Sequence, residues 1–212
     1  MRKRRGFFLT LEGTDGVGKT THAALLKKWL SQEGLKAVLT REPGGGKAAE
    51  KIRKLILDPR EKIENLTELF LYEAARIEHL SKTVLPALKA GKIVVCDRFT
   101  DATIAYQGFG RGLDLKTINT LNKIATKGLL PHLTLLLDLS PKIGLKKARK
   151  RNKDKKGDRL EKEGISFQKK VRRGYLSLLK RDPQRIKRIS VQPSIEMTQR
   201  LIRNAVRKKF LK

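Results

Sequence analysis

Gly13-Thr14-Asp15-Gly16-Val17-Gly18-Lys19-Thr20 is the stretch from which the rest of the chain can be read. The apolar run Phe7-Phe8-Leu9-Thr10-Leu11 precedes it. Helical spacing of Ala23, Ala24, Leu25, Leu26, Trp29 and Leu30 follows it. Strand, glycine-rich turn and helix are the context a phosphate-binding loop requires. The glycines let consecutive N–H groups and the helix N-terminus converge on a phosphate chain. Lys19 can then reach the outer phosphates, the Thr20 hydroxyl can ligate Mg²⁺, and Thr21 continues the same turn. An ordinary glycine-rich turn with a chance lysine would not be expected to have the full spacing and both flanks. The stretch points to a nucleoside triphosphate.

The 212 residues are enough for one substantial core, and we expect a single domain over 1–212. No apolar run approaches a membrane span, and Met1-Arg2-Lys3-Arg4-Arg5 reads as a solvated lead-in to the first strand rather than an address. The lone Cys96 is incompatible with an internal disulfide framework and suits a reducing compartment, the cytoplasm by default. The charge is lopsided. Residues 141–212 carry 26 basic and 6 acidic side chains (+20), against 24 and 15 (+9) in residues 1–140. Such a field attracts polyanions without saying which, and a solvated lysine-rich surface would look the same.

Beyond the loop, strand and helix patterns alternate. Leu35 to Thr40 reads as a short strand ending in the loop Arg41-Glu42-Pro43-Gly44-Gly45-Gly46, at the end of the sheet where ligands bind in open α/β folds. Residues 47–57 have helical spacing, and a longer amphipathic helix is expected from about Leu66 to Leu88. On it Tyr72 and Arg76, four apart, share a face; alone, they are equally a core-edge ring and a surface cation. Ile93-Val94-Val95-Cys96 is a buried strand tipped by Asp97-Arg98, an acid placed for the Mg²⁺ shell beside a cation placed for a phosphate. Thr103, Tyr106 and Gln107 fall on one polar face if their segment is helical. Asp114 can cap a helix to about Lys127, Leu133 to Leu139 is a strand, and Glu161 to Arg181 is helical. A strand at 185–191 and a helix at 195–210 complete the chain. The expected architecture is α/β, a five-stranded parallel sheet with helices on both faces. Between Lys146 and Arg159, nine of fourteen residues are basic.

The set Glu12 to Thr20, Arg41-Glu42-Pro43-Gly44-Gly45, Asp97-Arg98, Ala105-Tyr106-Gln107-Gly108 and Asp158-Arg159-Leu160-Glu161 resembles the thymidylate kinase family, in order and spacing, over nearly the whole chain. The resemblance implies a three-layer P-loop NTPase fold of the nucleoside monophosphate kinase kind. It implies transfer of the γ-phosphoryl group of ATP to dTMP with Mg²⁺, and a homodimer to which the 66–88 helix contributes. Gly13 to Thr21 would bind ATP, with Lys19 on its phosphates and Thr20 and Asp97 on Mg²⁺. Asp15, Arg41, Glu42, Pro43, Tyr72, Arg76, Arg98, Thr103, Tyr106 and Gln107 would bind dTMP. Among these, Tyr72 would stack on the base, Arg76 would reach its carbonyl edge, and Tyr106 would disfavour a ribose hydroxyl.

Some members of the family place a basic residue in the P-loop directly after the carboxylate. Here Gly16 stands there, so the resemblance assigns the catalytic cation to a mobile lid at about 149–160, with Arg149, Arg151 and Arg159 as candidates beside Lys19 and Arg98. Gly46, Phe99 and Leu160 depart from the family's commoner residues at their positions. Two rivals remain at this stage: a kinase for another nucleotide such as dCMP, and a nucleic-acid-binding P-loop protein. The second has no recognisable binding module, and only 5% aromatic content, to support it. No specific nucleic acid and no membrane are expected as partners.

Overall fold

The structure, a computed structural model, describes residues 6–151 and 159–210. Five parallel strands form one sheet: β1 (Phe7–Glu12), β2 (Ala37–Arg41), β3 (Ile93–Asp97), β4 (Leu133–Asp138) and β5 (Ile186–Ser190). Their order is β2-β3-β1-β4-β5, so the P-loop strand is central. Phe7 pairs with Ile93 on one side and Leu9 with Leu133 on the other. Both faces are covered, and for that reason the central strands read as continuous apolar runs rather than alternating ones.

Side chains nonetheless sort by period two. Leu9, Leu11, Val95 and Leu135 point to the layer of α1 (Lys19–Gln32) and α9 (Ile195–Phe210), meeting Leu26, Leu30, Ile202 and Val206. Phe8, Val94 and Cys96 point the other way, onto Leu80, Val84 and Phe99. That second layer holds α2 (Lys47–Leu57) and α3 (Asn65–His79). It also holds α4 (Leu85–Lys89), α5 (Thr100–Thr103), α6 (Leu115–Thr126), α7 (Pro141–Arg151) and α8 (Gly164–Arg181) as further helical pieces of the chain.

The helix expected over 66–88 is interrupted. Between α3 and α4 the chain makes a wide π turn at Leu80–Val84. Pro86 follows directly and has no N–H to return to the preceding turn, so a change of hydrogen-bond register there costs little. A second π turn, Ile104–Gly110, continues α5 in place of an α-helical turn, and Thr103, Tyr106 and Gln107 still line one pocket, as their spacing predicts. β2 begins at Ala37 rather than Leu35, because the Leu35 amide instead closes α1 on the Leu30 carbonyl. Asp114 caps α6 as expected, its carboxylate accepting from the Thr117 amide at 2.7 Å.

Candidate active site

β1 delivers the P-loop to the C-terminal edge of the sheet. Val17 anchors it in the core, and Gly18, in the left-handed region at φ 90°, turns the chain into α1 with no side-chain cap. The open N-terminus of α1 is thus left for an anion. Lys19 folds back over the loop, donating to the carbonyls of Gly13 (3.1 Å) and Thr14 (2.8 Å). Burial and the nearby Arg98 guanidinium push its ammonium down to about 8, against Asp15, Asp97 and Glu12. A bound phosphate would reverse that push.

Gly16 adopts φ 75°, and a Cβ there would lie 1.9 Å from the Gly144 carbonyl oxygen. The converse also holds: a Cβ on Gly144 would lie 2.5 Å from the Asp15 carbonyl oxygen. α7 therefore packs on the P-loop backbone through a glycine pair, with no room for a side chain at residue 16.

Beside the loop, the Thr20 hydroxyl donates to Asp97 Oδ2 at 2.6 Å. The pair offers hard oxygen donors next to the phosphate site, the donor set that a partly hydrated Mg²⁺ takes. Thr20 and Asp97 fit that ion, and among the described residues no cluster of three or more ligating side chains offers another site.

Arg98, at the tip of β3, holds a left-handed backbone at φ 74°, fixed by its amide donating to the Leu11 carbonyl at 3.0 Å. A non-glycine residue held there carries strain. The turn aims its guanidinium across the P-loop. It donates to Gly13 O (3.0 Å), Asp15 Oδ1 (2.6 Å), and the hydroxyls of Tyr106 (2.8 Å) and Tyr175 (3.2 Å). Asp15 also accepts from Tyr106 (2.9 Å) and from Gln168 Nε2 (2.6 Å). Burial would raise the Asp15 carboxyl, but Arg98 and Lys19 overcome it and hold it below its usual range.

Next to this neck lies a pocket walled by Tyr72, Thr103, Tyr106, Gln107 and Leu160, with Arg76 in its floor. Arg76 is buried yet fully charged. It donates to Glu42 (2.8 Å), Glu73 (2.6 Å), Asn122 (2.7 Å) and Thr103 (2.8 Å). Glu42 also meets His79 Nδ1 at 2.9 Å, so the loop after β2 is tied to α3 through two partners. The pocket and the P-loop cleft share Asp15, Glu42, Arg53 and Arg98. Two compartments thus meet at two arginines and two carboxylates.

The remaining expected residues are less central. Arg41 lines the P-loop cleft but is half exposed and paired with Glu50 at 3.0 Å; Thr21 lines the same cleft. Pro43 follows a cis peptide bond and its carbonyl accepts from Arg53 at 2.7 Å. Arg149 is exposed on α7, and residues 152–158, most of the expected lid, lie outside the described residues. Arg159 donates to Glu68 and to the Ile56 carbonyl (2.9 Å). Neither Arg149 nor Arg159 lines the P-loop cleft.

The family model described as thymidylate kinase matches residues 11–202. The chain belongs to the thymidylate kinase family. It is 54% identical over 189 residues to a thymidylate kinase of Synechococcus sp. (strain JA-2-3B'a(2-13)), covering 88% of this chain and 87% of that one. It is 43% identical over 193 residues to that of Clostridium novyi (strain NT), covering 91% and 94%. The crystal structure of thymidylate kinase from Ehrlichia chaffeensis superposes with a TM-score of 0.78 at 31% identity, over 95% of this chain and 99% of that one. The reaction of a thymidylate kinase is transfer of the γ-phosphoryl group of ATP to dTMP, giving dTDP and ADP, and it is this chain's reaction. Among the described residues no helix is long and apolar enough to cross a membrane.

Sequence reasoning assigned no site role to Arg53, Gln168 and Tyr175, and gave Glu12 none of its own. A signal existed for two of them. Gln168 and Tyr175 fall in register with Phe167, Val171 and Leu178 on the buried face of α8, where a polar side chain requires a partner. Tyr175 donates to Glu12 at 2.8 Å, and Glu12 accepts the Phe99 amide at 2.7 Å.

Proposed function

We propose that dTMP occupies the pocket over Arg76 with its phosphate at the neck, facing ATP phosphates in the P-loop. The observation that carries this reading is the sharing of Arg53, Arg98 and Asp15 by the two compartments. Two polyanions must approach in line, and phosphoryl transfer leaves the protein chiefly the work of positioning them and neutralising their repulsion. Arg53 and Arg98 hold the acceptor phosphate. Lys19 leaves the Gly13 and Thr14 carbonyls for the outer phosphates of ATP, and the amides of Gly13 to Thr21 surround the rest. Asp15, held ionised and oriented by Arg98, Tyr106 and Gln168, faces the acceptor sugar as a hydrogen-bond acceptor for its 3′-hydroxyl. Tyr72 stacks on the base.

Thr20 with Asp97 would hold Mg²⁺, whose chemistry there would be neutralisation of phosphate charge. Arg76 supports base recognition by arithmetic. Four of its five N–H groups are committed inside the protein, leaving one donor for a ring carbonyl. Because Gly144 closes the space at Gly16, the chain is of the type whose catalytic cation comes from the lid. With Arg159 engaged by Glu68, Arg149 and Arg151 are its candidates. The lid belongs to the same single domain, and the buried thiol of Cys96 suits a reducing cytoplasm.

A coupled assay comparing dTMP, dUMP, dCMP and thymidine tests the reading, with dTMP expected to give the highest kcat/KM. Arg98→Ala should raise KM for dTMP and lower kcat, and Arg151→Ala should lower kcat by about 10³ or more if it stabilises the transferring group. Preference for dCMP, or wild-type turnover in both variants, would overturn it.

A further inference from the structure

Glu68 is fully buried in α3 and lines neither compartment of the site. Four donations converge on it. Gln107 Nε2 gives to Oε1 at 2.7 Å, Arg111 gives to both oxygens at 3.3 and 3.2 Å, and Arg159 gives to Oε2. A carboxylate between two guanidinium groups accepts and does not donate. The end of the Gln107 amide turned towards it must therefore be the NH₂. Gln107 itself lines the base pocket, so its other end, the carbonyl oxygen, is the one presented there.

We propose that Glu68, without touching substrate, is a specificity-determining residue: it fixes the orientation of the Gln107 amide and so selects a 2,4-dioxopyrimidine against an aminopyrimidine. This rests on the placement of the base over Arg76 proposed above. On that placement Arg76 offers a donor and Gln107 an acceptor, both from the lining of one pocket. Thymine presents the complement, an O4 acceptor next to an N3–H donor. Cytosine presents the reverse, an amino donor at C4 next to an N3 lone pair, so both contacts become repulsive. A site built around such buried polar groups rejects the mismatched ring strongly, because the groups are left unpaired. Were the amide free to turn over, it could offer an N–H to the cytosine N3 and part of that rejection would vanish.

Glu68 also staples α3 to the π turn carrying Gln107, and a purely structural role would lower stability and weaken both nucleotides together. The two roles separate in a ratio. In Glu68→Gln the side chain at 68 can donate as well as accept, so Gln107 is no longer locked. The expected result is a fall of about tenfold or more in (kcat/KM for dTMP)/(kcat/KM for dCMP), with dCMP turnover rising. A parallel loss for both nucleotides at constant ratio would overturn the proposal. Gln107→Ala separates the proposal from the reading beneath it, since an unchanged KM for dTMP there would mean that the base does not lie against Gln107 at all. A second measurement needs no variant. In the wild-type enzyme the Gln107 side-chain NH₂, committed to Glu68, should show slow hydrogen exchange that dTMP leaves unchanged. Exchange that is fast until dTMP binds would equally overturn the proposal.

Discussion

Burial pushes the Glu12 carboxyl up to about 8, with Asp101 adding to the push and Arg98 opposing it. Its ordinary value is 4.5, so folding takes up a proton between about pH 4.5 and 8. By linkage, a group whose value is raised on folding stabilises fully below its unfolded value and loses that contribution as pH rises through the folded one. Stability should fall over that window, and in Glu12→Gln this part of the fall should disappear. Urea midpoints measured across the window in both proteins check it. Lys19 is shifted the opposite way, down from 10.5 to about 8, so its cost to the free enzyme is present below pH 8 and relieved above it. The two residues act in separate windows. The placement of Lys19 over the loop was legible in the sequence because it depends on spacing within eight residues. Glu12 was quoted with the motif but its state was not legible, since Tyr175 and Asp101 reach it only through the fold.

At the scale of elements, α7 and the P-loop are joined through Gly144 and Gly16. In Gly144→Val a side chain must displace either α7 or the Asp15 carbonyl. Overpacking of that kind costs about 1–3 kcal/mol, and because it moves the phosphate loop it should also raise KM for ATP. Titrating ATP at saturating dTMP, with a parallel urea curve, measures both effects. α8 contributes differently. Gln168 holds Asp15 through its side chain and also accepts from its backbone amide at 3.2 Å. Gln168→Leu should keep the helix but release Asp15, raising KM for dTMP by about tenfold, the loss of a hydrogen bond to a charged group. An unchanged KM would show that Arg98 and Tyr106 suffice. Periodicity located α8 well, because it buries an apolar face. It did not find the π turns at Leu80–Val84 and Ile104–Gly110, where one residue more per turn leaves composition almost unchanged. Within that second turn Tyr106 hydrogen-bonds Asp15 and Gln107 hydrogen-bonds Glu68, while both side chains line one pocket with Thr103, as the spacing suggested.

For the whole molecule, the sequence announced five parallel strands and their covering helices, since alternation of patterns survives without any long-range information. Pairing partners were not legible in it. Two surface features remain outside the chemistry of a monomer. Leu66, Phe70 and Ile77 are exposed on one face of α3, and Ile124 is exposed on α6, which packs beside it. An apolar face of this kind is the natural contact for the homodimer the family resemblance implies. Light scattering should give twice the chain mass, and Phe70→Asp should return it to the monomer. The excess of positive charge lies mainly beyond residue 140, and part of it stands in solvent on α9 at Arg200, Arg207, Lys208 and Lys209. That field should speed capture of both nucleotides at low salt, so kcat/KM should decline as ionic strength rises while kcat holds.

The position of β1 has a consequence for how the enzyme comes into being. Its neighbours are β3 and β4, so Phe7 waits for Ile93 and Leu9 for Leu133. β2 also pairs only with β3, so β1 and β2 both wait for strands that are synthesised after them. Non-local pairing of this sort is the slow part of folding. β1, with the phosphate loop at its end, is therefore completed only after β3 and β4 have been synthesised. Until then the polypeptide has no finished nucleotide site, and ATP cannot help it to fold.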